Sequence, residues 1–118
     1  MKQLTKAEEE IMQILWQLEK ANVKSIIEHF PEPKPAYNTV STIVRILEKK
    51  EFVAYNAFGK THQYYPIVTK EKYKGLKTDN LLSNFFGGSA ESMLSFFMKE
   101  KKMDISQIDE LLKEIKNK

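Results

Sequence analysis

Residues 35–50, PAYNTVSTIVRILEKK, decide how this chain reads. Val40, Ile43, Val44 and Leu47 fall at i, i+3, i+4 and i+7. At about 100° per residue they make one apolar stripe along a helix. The direction opposite that stripe holds Asn38, Thr42, Arg45 and Lys49, with Thr39 and Ser41 flanking its first turns. Glu48, the one acid of the stretch, lies toward the side. Solvated helix faces usually mix both signs, because Glu–Lys pairs four residues apart support the helix. This face instead offers amides and hydroxyls first and cations farther along. Amides and hydroxyls reach base edges, and Arg forks onto guanine or pairs with a phosphate.

The flanking sequence gives that helix its setting. Upstream, Thr5-Lys6-Ala7-Glu8 has the form of a capping box. Leu4, Ala7, Ile11, Ile14, Leu15 and Leu18 then recur as an inward face, with Glu8, Glu9, Glu10 and Glu19 elsewhere on the wheel and Trp16 as a core residue. Asn22 caps a second, shorter helix whose Val23, Ile26, Ile27 and Phe30 point inward, and Pro31, Pro33 and Pro35 end it. Downstream the period changes. Phe52, Val53, Tyr55 and Phe58 are β-prone, Gly59-Lys60 marks a turn, and His62-Gln63-Tyr64-Tyr65 forms a second strand ended by Pro66. The hairpin tip carries Lys60, Thr61 and His62.

Three helices followed by a basic-tipped hairpin predict a winged helix-turn-helix. Its third helix enters the major groove and its wing of two or three strands rests on the backbone or minor groove. In that arrangement Asn38, Thr39, Ser41, Thr42 and Arg45 read sequence. Lys49 and Lys60, with Lys34 and Lys50, neutralise phosphates, and His62 meets a phosphate or water.

Charge distribution agrees. The net +3 of the 118 residues divides unevenly: residues 1–33 hold four Lys against six Glu, residues 34–74 hold eight cations against three Glu, and residues 75–118 balance seven against seven. The positive block coincides with the third helix and wing, as expected for a face that meets a polyanion.

The last third is organised differently. Thr69 caps a helix through Tyr73, Leu76, Leu81, Leu82, Phe85 and Phe86, stopped by Gly87-Gly88. Ser89 caps the next, with Met93, Leu94, Phe96, Phe97 and Met98. Ser106-x-x-Asp109 resembles a capping box for a last helix bearing Ile108, Leu111, Leu112 and Ile115. Some forty residues so rich in large apolar side chains cannot bury them alone, and a bare surface of that size is not tolerated. The tail helices can fold back on the winged helix, or a second copy can cover them; the second is the expectation, because two tails then interlock into one core and two-fold symmetry matches paired half-sites on DNA. The expected architecture is mainly α, with a winged-helix DNA-binding domain over 1–68 and a helical dimerisation domain over 69–118.

Other classes find little support. Cysteine is absent, which removes disulfides, thiol nucleophiles and thiolate zinc sites and fits a reducing compartment. No P-loop, H-E-x-x-H or G-x-S-x-G occurs, so neither an enzyme nor a cofactor is expected. His29 and His62 stand apart, and no metal site is expected. The polar, acidic start and the lack of a long apolar run point to a cytoplasmic protein without membrane insertion. The rival class is a winged helix that binds protein rather than DNA; the aromatic residues are not laid out as an RNA stacking platform.

Taken in order, Asn38-Thr39-Val40, Leu47-Glu48-Lys49-Lys50, Tyr64-Tyr65-Pro66 and Phe85-Phe86-Gly87-Gly88-Ser89 give the chain a resemblance to the penicillinase repressor (BlaI/MecI) family, running from Leu4-Thr5 to Leu111. The resemblance implies a homodimeric repressor on a palindromic double-stranded operator. It also implies a membrane-bound sensor metalloprotease as partner, which answers β-lactam and leads to cleavage of the repressor within its dimerisation part. The matching position is Leu94-Ser95-Phe96, where Ser95 replaces the Asn that precedes Phe in cleaved members. Glu51 stands where many relatives have Gly, which predicts a different end to the third helix. Without cysteine, the chain lacks the metal-sensing cluster of copper-responsive relatives.

Overall fold

The computed structural model describes residues 3–101, 104, 106, 107, 109 and 110. The expected dimerisation residues Ile108, Leu111, Leu112 and Ile115 lie outside these. The chain forms two compact units, Met1–Lys74 and Gly75–Lys118.

In the first unit, α1 (Lys6–Leu18) opens on the expected capping box. Thr5 Oγ1 accepts from the Glu8 N–H at 3.2 Å, and the Glu8 carboxylate accepts from the Thr5 N–H at 2.7 Å. Ile11, Ile14 and Leu15 are buried, joined by Met12. The sequence reading fails at two positions: Ala7 is exposed and Glu8 is buried. The cause is Lys50, whose Nζ lies 2.8 Å from Glu8 Oε1 and turns this carboxylate into part of the inner face. Burial pushes the Glu8 carboxyl up. The hydrogen bond from Lys50, the two bonds at Thr5 and the Lys50 charge outweigh that and hold it below its ordinary value.

Asn22 caps α2 (Val23–Glu28) by accepting from the Ser25 N–H at 2.8 Å. The third helix, α3 (Tyr37–Lys49), buries Val40, Val44 and Leu47 almost completely. Its end corrects the expectation drawn from the missing glycine. Glu51 adopts φ +65°. The Phe52 N–H donates to Leu47 O and the Glu51 N–H to Glu48 O, both at 3.0 Å, which is a Schellman ending. Fully buried Phe52 holds the chain in this path although a side chain occupies the left-handed position.

The wing follows directly. Strands β1 (Val53–Phe58) and β2 (Thr61–Pro66) pair antiparallel, with Tyr55 opposite Tyr64 and Phe58 opposite Thr61. Gly59, at φ +63°, supplies the turn conformation. Ala21 and Tyr64 exchange two backbone hydrogen bonds of 2.9 and 2.8 Å, so the segment before α2 gives the wing a third, one-bridge strand.

Thr69 caps α4 (Lys70–Phe85) as expected. The first turn of α4 belongs to the first unit because of Tyr73. That ring lies 5.8 Å from both Trp16 and Phe52, and its hydroxyl donates to the Glu9 carboxylate. Burial, then Glu9, pushes the Tyr73 phenol well above its ordinary value. Trp16 is a half-buried core residue that donates from Nε1 to Val68 O at 2.9 Å.

The second unit has no buried side chain among its described residues. Gly87 and Gly88, at φ +57° and +79°, end α4, and Ser89 caps α5 (Ala90–Glu100). Phe86, Phe96 and Phe97 form a ring cluster at centroid distances of 5.7 and 6.1 Å. The expected box at Ser106 is replaced by one two residues earlier. The Asp104 N–H donates to the Gln107 side chain at 2.9 Å, and the Gln107 N–H donates to the Asp104 carboxylate at 2.8 Å. The Asp104 carboxylate is the stronger acceptor for an orphan helix N–H. No helix among the described residues is long and apolar enough to cross a membrane.

Two predictions follow from this packing. Glu51→Gly removes the side chain from a left-handed position and is expected to stabilise the chain by about 1 kcal/mol, read as a raised urea midpoint at constant slope. An unchanged or lowered midpoint contradicts the account of the α3 ending. Glu8 has a folded-state pKa below its unfolded value, so its contribution exists above the ordinary carboxylate range and fades as pH falls through the depressed value. The stability gap between the native chain and Lys50→Met is therefore expected to narrow on acidification below about pH 4.5; a gap that is constant with pH would remove the pair from the account.

Candidate nucleic-acid interface

Helix periodicity fixes the outward face of α3. With Val40, Val44 and Leu47 inside, Asn38, Thr39, Thr42, Arg45 and Lys49 are exposed and Ser41 is half-buried. Two of these side chains are already oriented. Arg45 donates from Nη2 to Ser41 Oγ at 3.0 Å, which lays the guanidinium along the helix. Thr42 donates its hydroxyl proton to Asn38 O at 2.8 Å, leaving an acceptor and a methyl group to face outward. A methyl group suits the thymine methyl, and an acceptor suits an exocyclic amine.

The start of α2, the first turns of α3 and the wing enclose an open cleft of about 520 Å³. Ser41 and Arg45 line it from α3, Lys60, Thr61, His62 and Tyr64 from the wing, and Asn22, Val23 and Lys24 from the start of α2. Tyr37, 59% exposed, completes the lining from the first turn of α3. Cations thus arrive from three elements, as Lys24, Arg45 and Lys60, and no carboxylate lines the cleft. Such an arrangement focuses positive potential where a polyanion would lie. Tyr55 stacks on His62 at 4.2 Å and 11°, which holds the imidazole in place. Below it Tyr64 is buried, and burial, followed by the charge of Glu48, pushes its phenol up.

Of the residues singled out by sequence, the cleft gathers Ser41, Arg45, Lys60 and His62. Asn38, Thr39, Thr42 and Lys49 stand on the exposed face of the same helix, outside the cleft lining. Two lysines expected to meet phosphates have partners within the protein. Lys50 is engaged with Glu8 and with Gln3 O. Lys34 donates to Glu28 O at 3.1 Å and Phe30 O at 2.8 Å, so it closes the end of α2. Lys24 and Tyr37 also line the cleft and were not singled out by the sequence. Lys24 follows the Asn22 cap by two residues, so the cap already fixed its place at the start of α2. Tyr37 falls three residues before Val40 and seven before Val44, so periodicity put it at the edge of the apolar stripe and gave no signal of its exposure. Among the described residues no cluster of three or more His, Cys, Asp or Glu could hold a metal.

Known proteins resemble the chain over nearly its whole length. The family model described as "Penicillinase repressor" matches residues 4–117. The methicillin resistance regulatory protein MecI of Staphylococcus aureus (strain N315) is 28% identical over 110 residues, 92% of this chain and 89% of that protein. The corresponding protein of Mammaliicoccus sciuri is 27% identical over the same length. The penicillinase repressor of Bacillus licheniformis is 26% identical over 120 residues, 98% of this chain and 94% of that protein.

The cleft can be tested without any assumption about sequence. Lys24→Ala and Lys60→Ala are expected to elute from a heparin column at lower salt than the native chain, and Lys34→Ala at unchanged salt. An equal shift for Lys34→Ala would mean that bulk charge, not the cleft, governs binding.

Proposed function

The chain belongs to the penicillinase repressor family, and from that premise we propose that it is a homodimeric transcriptional repressor of a palindromic operator, acting in antibiotic-resistance regulation. One observation carries the proposal: the acid-free outer face of α3 adjoins a cleft in which three elements each contribute a cation. In this reading α3 enters the major groove. Asn38, Thr39, Ser41, Thr42 and Arg45 discriminate bases, at about 1–3 kcal/mol for a good bidentate pair. Lys24, Lys49 and Lys60 meet phosphates, each steepening the salt dependence by about 0.9.

The second unit supports pairing of two copies. Leu81, Phe85, Phe96 and Met98 are exposed, with Leu82, Phe86, Met93, Leu94 and Phe97 half-buried beside them. Side chains of this size gain about 1.5–3 kcal/mol each when fully buried, so a face this apolar favours a twin over water. The pair then holds two α3 helices at half-sites about 10–10.5 bp apart, or a multiple of that. Coupling through the non-covalent dimer makes the second binding event effectively intramolecular.

Relief by proteolysis extends the reading. A membrane-bound sensor metalloprotease cutting at Ser95–Phe96 would sever α5, where both residues are exposed on a formed helix. Cleavage there requires α5 to open locally, so the rate would follow the stability of the dimer.

A gel shift against genomic fragments at two salt concentrations tests the function. A sequence-selective band that weakens with salt is expected; no band at either salt would favour a protein-binding winged helix. Arg45→Ala is expected to lower the ratio of selected-site to random-site affinity about tenfold or more, and an unchanged ratio would remove Arg45 from base readout. Phe86→Asp is expected to sediment as a monomer and lose the operator band, and a dimeric Phe86→Asp would place the junction elsewhere.

A further inference from the structure

The wing carries a side chain for which neither the core nor the cleft accounts. Phe58, the last residue of β1, is 61% exposed and stands opposite Thr61 across the turn. Strand alternation groups Tyr55, Ala57, His62 and Tyr64 on the face that meets the cleft. Phe58 lies on the other face, with Asn56, Thr61 and Gln63 as its neighbours in the register, all of them polar; Thr61, at the hairpin end, also borders the cleft. Gly59 and the exposed Lys60 follow at once, so the ring sits at the very end of the hairpin beside a cation. A strand end does not call for an aromatic there, since Thr satisfies the same β-preference without an apolar ring in water.

A projecting apolar ring next to a cation has the chemistry of a groove wedge. The cation meets a phosphate at the groove edge, and the ring presses against or between neighbouring bases and partly unstacks one step. We propose that Phe58 is such a wedge in the minor groove that flanks the α3 contact. It adds shape-dependent specificity at a base step that α3 does not touch. Flexible pyrimidine–purine steps yield most readily to unstacking, so the step at that place is TA or CA. The inference rests on the DNA-binding reading above.

The test starts by selecting duplexes from a random pool with the native full-length chain. 2-Aminopurine is then placed in turn at each adenine of the selected duplex. Binding of the native chain is expected to raise fluorescence at one step flanking the α3 contact. Phe58→Thr, which keeps the strand preference and pairs with Thr61, is expected to abolish that rise and bind about tenfold more weakly at an unchanged salt slope. Phe58→Leu is expected to retain most of both. An unchanged melting temperature for both variants confirms that folding is intact. Affinity for Phe58→Thr equal to the native chain, or a fluorescence rise that survives in it, overturns the wedge while leaving the DNA reading in place. Failure of the native chain to enrich any duplex overturns the DNA reading itself.

Discussion

The burial of Val40, Val44 and Leu47 is the constraint on which the rest depends. Each is removed from water almost entirely, and full burial of such side chains is worth about 1.5–3 kcal/mol apiece. Together with Phe52 they exceed the roughly 1–2 kcal/mol that a left-handed Glu51 costs. That is why α3 ends in a Schellman turn without glycine. Once the stripe is inside, the helical period leaves Asn38, Thr42, Arg45 and Lys49 no direction but outward. The Phe52 ending then sends the chain straight into β1, so the wing starts at a fixed place relative to α3.

Rigidity around the cleft comes from modest interactions acting together. The Ala21–Tyr64 bridge ties the wing to the segment that leads into α2, the Tyr55–His62 stack orients the imidazole, and the Arg45–Ser41 bond restrains the guanidinium. Restraint of this kind lowers the entropy lost on binding, because side chains already held in place have less freedom to lose. Lys24 and Lys60 lie outside the helix that carries Asn38, Thr42 and Arg45, so in the proposed reading attraction to a polyanion and discrimination among sequences are separable by mutation at those two lysines. The family to which the chain belongs fits this division. In the proposed reading the apolar second unit supplies the other half of the design, since a reader that touches one half-site gains most when a twin touches the next.

Much of this was legible in the sequence because it rests on periodicity and local chemistry. The α3 stripe, the Thr5 box, the Asn22, Thr69 and Ser89 caps and the Gly59 turn are all local signals, and each appears where expected. What escaped depended on contacts distant along the chain. Glu8 read as a surface acid until Lys50, forty-two residues away, came to lie against it. Lys34 and Lys50 counted as free cations because composition does not reveal which lysines are engaged. Lys24 was overlooked since its helix packs beside α3 only in the folded state. Asp104 displaced Ser106 as a cap, a choice between two nearby acceptors that spacing alone could not resolve.

Amide chemical shifts of the isotopically labelled full-length chain, titrated with a duplex that it selects, test the central claim most directly. The account expects the largest changes at Asn38, Ser41, Thr42 and Arg45 and in the wing from Gly59 to His62, with residues facing the core of α1 nearly still. Changes concentrated on α1, or confined to residues 75–101 while α3 stays silent, would contradict it.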